Sequence, residues 1–179
     1  MVIDLDVHQG DGTAQMSALL HPNQSFTFSM HCKHNFPTHK QQSNWDVELE
    51  DGVTDSVYLS ILSDCLKVLE SELKGKIDCI FFQSGVDVLK GDRMGRLSLS
   101  LDGVLKRDQM VCEFAERMSQ YDPLFSHHTD NKLQCIPLIS MMGGGYSSDG
   151  DDSFERVVTA HINTVVSMRS HWQLDQNNF

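Results

Sequence analysis

The chain has 179 residues, 40% hydrophobic and 22% charged, the size and balance of one globular domain that can bury a sizeable core. Its formal net charge of −11 argues against a nucleic-acid backbone as direct partner, since phosphate binding needs a basic face; it suits a basic substrate, although acidity also keeps proteins soluble. Five scattered cysteines without a CxxC pair, no apolar run near the roughly 20 residues that span a bilayer, and an acidic start, "MVIDLDVH", argue against a disulfide framework, a zinc finger, a membrane span and a signal peptide, and for a reducing, intracellular setting.

In chain order, "VIDLDV" predicts a strand ending at the glycine-rich turn "QGDG", "TAQMSALL" a short helix, and "SFTFSMH" a second strand. From His31 to Gly52 no period holds, and Asn35, Pro37 and several His and Gln predict a long functional loop. Val57, Tyr58, Ile61, Leu62, Cys65, Leu66, Leu69 and Leu73 then recur at helical spacing, after the cap types Thr54 and Asp55 and before Gly75. "IDCIFFQSG" predicts a buried strand, "VDVLKGDRMGR" a loop, and residues 102–118 an amphipathic helix. "DPLFSHHTDNKLQC" reads as a polar insertion, "IPLISMM" as a strand running into "GGGYS", and "DSFERVVTAHINTVVSM" as a closing helix. The domain is expected over 1–169, with a disordered tail over 170–179.

Strands alternating with helices predict an α/β fold, a mostly parallel sheet with helices on both faces. Ligands of such sheets bind beyond the carboxyl ends of the strands. The four predicted strands are followed by "DVHQGD", "HCKHNFP", "GVDVLKGD" and "GGGY", so polar, reactive or glycine residues stand at every such end. Within the first stretch, Asp4, Asp6 and His8 alternate with Leu5 and Val7 and share one side of a strand. Neighbouring buried carboxylates repel and are costly to desolvate; a shared cation relieves both problems. An edge strand with a polar face toward water, or a solvated turn, is the alternative. Asp87, after the next hydrophobic strand, favours the cation: one His and two Asp leave an open coordination sphere, the arrangement of a catalytic metal. Gly143, Gly144 and Gly145 let backbone and substrate approach, and the Tyr146 hydroxyl can donate to an oxyanion.

Together "VIDLDVHQGDGTA", "FFQSGVDVLKGDRMGRLSLS" and "MMGGGYSSD" resemble the second half of the zinc-dependent histone deacetylase family, of arginase/deacetylase fold. "KHNFPTHKQQSNWDVELEDGVTDSVYL" is most similar to its class IV and bacterial class IV-like branch. The resemblance implies hydrolysis of the acyl amide of acyl-lysine, in the nucleus or cytoplasm, with Asp6, His8 and Asp87 as zinc ligands and Tyr146 as the transition-state tyrosine. It implies that Asp4 and Asp11 orient a pair of catalytic histidines, and that Phe36 and Met94 wall the acyl-lysine tunnel. Asp4, the carbonyls of Asp6, His8 and Met30, and the Ser29 hydroxyl match a potassium site. Gly10 stands where a dimanganese ureohydrolase would carry a further Asp, which disfavours that relative.

The family's histidine pair lies upstream of the zinc-ligand strand, and this chain begins at that strand. The fold is therefore expected to be incomplete at its N-terminus, with one sheet edge unpaired and apolar, and the chain alone to be a poor catalyst that needs an N-terminal half or another chain. His127 and His128 read as a surface-loop pair, His31, Cys32 and His34 as a solvated loop cluster, and His161 as a structural residue. Three alternatives stay open: an incomplete sequence of a protein that is whole in nature, a non-catalytic interaction module, and a deacetylase of a small amide such as an acetylpolyamine; His plus two carboxylates also accept iron(II) in place of zinc.

Overall fold

A computed structural model of the chain describes residues 1–121, 136–148 and 151–171. Five strands, β1 (Val2–Asp4), β2 (Thr27–Cys32), β3 (Trp45–Leu49), β4 (Ile80–Gln83) and β5 (Leu138–Met141), form one sheet in the order β3-β2-β1-β4-β5. Every pairing is parallel. The helices are α1 (Asp11–Leu20), α2 (Asp55–Leu73), α3 (Leu101–Ser119) and α4 (Asp151–His171). The polar insertion, including His127 and His128, lies outside the described residues, as do residues 172–179.

The parallel α/β arrangement follows the sequence pattern, with one correction. The stretch expected as a long loop contains β3, and the strands number five. Trp45, Val47 and Leu49 alternate with Asp46 and Glu48, an edge strand whose period of two was hidden among polar neighbours. Edge position explains its polarity: only one side of the strand meets the core.

Register aligns Ile3 with Phe28 on one side and Phe82 on the other. These residues, with Met30 and Ile80, are fully buried and form the heart of the core. Helix α3 lies between α2 and α4, and its Arg107 guanidinium sits 5.7 Å from the Phe82 ring centroid. Buried Tyr58, Leu62, Leu66 and Leu69 of α2 and Val104, Val111, Phe114 and Met118 of α3 complete this layer at the spacing of helix faces. The N-termini of α2 and α3 are tied together. Asp55 accepts from the backbone and hydroxyl of Ser100 (2.8 and 2.5 Å), and the Ser100 hydroxyl in turn accepts from Gly103 N–H (3.0 Å) as the cap of α3. Past α2, Gly75 takes a φ of 69°, as its position predicts.

The opposite side of β4 and β5 differs. Phe81 and its register partner Ile139 remain 41% and 43% exposed, and Met141 and Met142 are exposed beside them. Along α4, Phe154, Val158, Ile162, Val165 and Val166 are also exposed, while Ala160 and Thr164 are buried toward α3.

Candidate metal centre

Strand β1 ends at Asp4, two residues before the first candidate ligand, so the spacing of two is carried onward by turns. Asp6 N–H donates to Asp4 Oδ1 (3.1 Å), and His8 N–H donates to Asp6 Oδ1 (2.9 Å). Each carboxylate takes the backbone bond that a neighbouring strand would otherwise offer, which is how Asp competes with regular structure. The predicted strand is therefore shorter than expected. Its consequence survives: Leu5 and Val7 are fully buried, and Asp6 and His8 turn to a common rim.

Asp87 reaches that rim from the loop after β4. Its Oδ1 accepts from Val7 N–H (2.9 Å), which fastens the two strand ends together. One ligand atom each from Asp6, His8 and Asp87 lies within 4.8 Å of the others. His8 Nδ1 is 3.0 Å from Asp6 Oδ1 and 3.2 Å from Asp87 Oδ2. Only the first contact has hydrogen-bond geometry, so Asp87 Oδ2 is buried with no hydrogen-bond partner. A buried carboxylate oxygen without a donor calls for an explanation, and a cation held jointly by these three groups supplies one.

The electrostatics agree. Burial, then the charge of Asp6, pushes the Asp4 carboxyl up to about 8. Burial also raises Asp87, while for Asp6 the bonds from His8 and Gly144 outweigh burial and hold its carboxyl below the usual range. His8 is raised to about 10 by its bond to Asp6 and its close ion-pair contact with Asp87. Excess negative charge is thus gathered at this rim, and a proton on His8 offsets part of it. The donor set, one imidazole nitrogen and two carboxylates, fits a divalent ion such as zinc or iron(II).

The glycine run closes one side. Gly144 N–H donates to Asp6 Oδ2 (2.9 Å), and a Cβ at position 144 would collide with Asp87 Oδ2. Gly145 carries the chain on to Tyr146, against Val86. Tyr146 is anchored through its backbone: its N–H donates to Asp92 Oδ2 (2.6 Å) and its carbonyl accepts from Arg93 N–H (3.0 Å). Partial burial, then the charges of Asp87 and Asp6, raises the phenol above its ordinary range, so the hydroxyl stands in the field of the cluster. The Phe36 ring meets the His8 imidazole edge-on at 6.5 Å, and Asn35 Nδ2 donates to the Met94 carbonyl (2.8 Å), tying Phe36 and Met94 to one side of the rim.

Residues 1–165 match the model of the histone deacetylase domain. The chain belongs to the histone deacetylase family. It is 35% identical over 161 residues to an uncharacterized protein of Picosynechococcus sp., covering 90% of this chain and 47% of that protein. It is 29% identical over 149 residues to histone deacetylase 2 of Arabidopsis thaliana, covering 82% of this chain and 33% of that one. The chain thus spans about half the length of the first relative and a third of the second. Among solved structures, the fold is similar to the histone deacetylase Clr3 (TM-score 0.66, 19% identity, 94% of this chain and 26% of that one). It is also similar to the acetylpolyamine aminohydrolase of Burkholderia pseudomallei (TM-score 0.62, 15% identity, 95% of this chain and 44% of that one).

Within this family fold the remaining candidates fall as follows. Ser29 pairs with Asp4 in register, and its hydroxyl bonds His31 Nδ1 (2.9 Å); Met30 is buried next to it. Asp11 opens α1. His31 and Cys32 are fully buried in β2, which corrects their reading as part of a solvated loop; His34 alone of that trio is exposed, beside Glu50 and Asp51. Alternation within a strand had separated His31 from Cys32, a pattern that a loop assignment conceals. Sequence reasoning missed Asp92, whose two oxygens bind Met94 N–H (2.8 Å), Gly95 N–H (2.8 Å) and Tyr146 N–H. Its signal was legible, an Asp three residues before Gly in a loop, the setting of an Asx turn. It also missed Gln9, whose amide bonds Gln41 and Asp46 and ties the first rim loop to β3 and the segment before it. A third omission, Arg107, carried no local signal beyond its place on the apolar face of α3.

Proposed function

We propose that the chain is the metal-holding part of a deacylase that hydrolyses the acyl amide of acyl-lysine. The observation that carries this reading is the convergence of Asp6, His8 and Asp87 within 4.8 Å, with a buried Asp87 oxygen that makes no hydrogen bond and has only the His8 imidazole, at 3.2 Å, beside it. These three side chains would hold zinc or iron(II). When bound, such an ion polarises the acyl carbonyl and makes a water nucleophilic near neutral pH. Tyr146 would donate its hydroxyl to the oxyanion as the carbonyl is attacked, and its Asp92 anchor keeps the phenol at the rim. Gly144, whose backbone packs directly on the Asp87 and Asp6 carboxylates, and Gly145, packed on Val86 and Val157, would present bare backbone to the scissile amide. Phe36 and Met94, both exposed at the rim, would wall the path of an acyl-lysine side chain. Asp4 and Asp11 would orient imidazoles that handle the proton, and Asp4, Asp6, His8, Ser29 and Met30 would hold potassium, a cation suited to the charge crowded around Asp4.

Among the described residues, His8 is the one imidazole at the cluster, and it is used as a ligand. The 179 residues by themselves would therefore hydrolyse slowly, forfeiting a factor of roughly 10²–10⁴ for the general base, and would gain it from an N-terminal half or another chain. The exposed face of β4 and β5 is where an added layer would bury apolar surface. The acidic chain suits a basic acyl-lysine protein or a small acyl-amine, in the nucleus or cytoplasm; no helix among the described residues is long and apolar enough to cross a membrane. The test is equimolar zinc titration of the chain by calorimetry, followed by turnover of an acetyl-lysine peptide and of an acetylpolyamine. One zinc per chain, lost in Asp87→Asn, is expected. A chain that binds no stoichiometric zinc leaves only the scaffold reading, and brisk zinc-dependent turnover by these residues alone overturns the dependence on an added base.

A further inference from the structure

Behind the metal rim lies a guanidinium that the reaction itself does not use. Arg107 of α3 is fully buried. Its Nη1 donates to the Gly85 carbonyl (2.6 Å) and the Leu5 carbonyl (3.2 Å), and its Nη2 to the Ser84 carbonyl (3.3 Å). Its Nε bonds Asp108 Oδ1 (2.8 Å), and Asp108 Oδ2 accepts from the Thr164 hydroxyl of α4 (2.6 Å). Leu5 immediately precedes Asp6, and Gly85 stands two residues before Asp87. One planar fork therefore grips, from the protein interior, both strand ends that carry the candidate metal-binding carboxylates.

A buried ion pair is a poor device for stability alone, because desolvating two charges offsets their attraction and an apolar residue of similar volume serves as well. A fork that collects three carbonyls from two separate strand ends does something an apolar residue does not: it fixes their spacing. Spacing matters here because the Asp6 and Asp87 carboxylates repel and must be held together before any cation joins them. The Coulombic link between Arg107 and Asp87 works in the same direction, setting a positive charge behind the cluster.

We infer that Arg107 is a positioning residue for the metal centre, setting the distance between the Asp6 and Asp87 loops so that the cation site is formed before the ion arrives. This rests on reading Asp6, His8 and Asp87 as metal ligands. The 179-residue chain and its variants are titrated with Co²⁺, read by visible absorption, alongside thermal unfolding. Arg107→Lys keeps the charge but gathers its donors on one atom and loses the planar fork that reaches the three carbonyls and Asp108 together; it is expected to weaken Co²⁺ binding by about 10–100-fold and to alter the band intensities. Met118→Ala, at a buried position of the same helix away from the strand ends, is the control that destabilises without touching the fork. Its Co²⁺ affinity is expected to match the wild type. Should Arg107→Lys fail to fold, Asp108→Asn takes its place, with a smaller loss of affinity expected in the same direction. Wild-type affinity in the folded Arg107 or Asp108 variant, or an equal loss in Met118→Ala, overturns the positioning role and leaves the metal reading intact. A wild-type chain that takes up no Co²⁺ removes the metal reading, and this inference with it.

Discussion

The carboxyl end of strand β4 and the outer side of its sheet are finished to different degrees. At its carboxyl end, polar groups are tied to one another: Asp87 to Val7, Gly144 to Asp6, Arg107 to three carbonyls, Asp92 to Tyr146. On its outer side, Phe81, Ile139 and Met141 meet solvent, and α4 presents a stripe from Phe154 to Val166 in the same state. The first region is self-contained. The second has the character of an interior face still to be covered, since isolated apolar side chains are ordinary on a surface but a contiguous set is not. This contrast separates a rim whose polar groups bond one another from a face whose apolar side chains meet solvent.

Adjacent phenylalanines give the sharpest test of the contrast. Phe82→Ala removes a fully buried ring from the core and is expected to cost about 3–5 kcal/mol in chemical denaturation. Phe81→Lys, one residue away on the exposed side, should change stability by no more than about 0.5 kcal/mol while reducing self-association in sedimentation. Equal costs at the two positions would erase the distinction between the faces.

A smaller effect is expected at the glycine wall. Gly144→Ala drives a methyl into the Asp87 and Asp6 carboxylates, so metal affinity should fall about 10–100-fold, with a stability loss of about 1–3 kcal/mol from overpacking. Unaltered zinc affinity in this variant would mean that the two carboxylates have slack the structure does not display.

The smallest effect concerns pH. Burial, then the Arg107 charge, lowers His161 below its ordinary 6.5, and burial lowers His31 likewise. Unfolded, each imidazole takes up a proton near 6.5; folded, only at lower pH. Their contribution to stability is therefore complete above 6.5 and is lost as pH falls through the folded values. Denaturation midpoints measured between pH 7.5 and 5 should decline with acid, and His161→Gln should flatten that slope by at most one proton's worth. An unchanged slope would mean that His161 carries none of this acid sensitivity.

Much of the site was legible in the residues. Alternation of Asp4, Asp6 and His8 with apolar neighbours, and a strand-terminal Asp87, were enough to expect Asp6, His8 and Asp87 at one rim, and the structure brings them within 4.8 Å of one another. Less legible were β3, where polar edge residues masked a period of two, and the burial of His31 and Cys32, where β2 runs on into a stretch whose polar residues resemble a loop. Asp92 was readable in principle from its Asx-turn setting. Arg107 was not: an arginine on a helix ordinarily extends its head to water.

What the sequence alone determined is the local chemistry: which stretches become strands and helices, and which acids and imidazole gather near their ends, since these depend on periods of a few residues. Only the tertiary structure decided that Asp87 locks onto Val7 across 80 residues, that an interior guanidinium spans both ligand loops, and that one side of the sheet is closed while the other stays open. Those outcomes depend on which elements become neighbours in space, and packing of the whole chain, with its long-range burial, is what selects them.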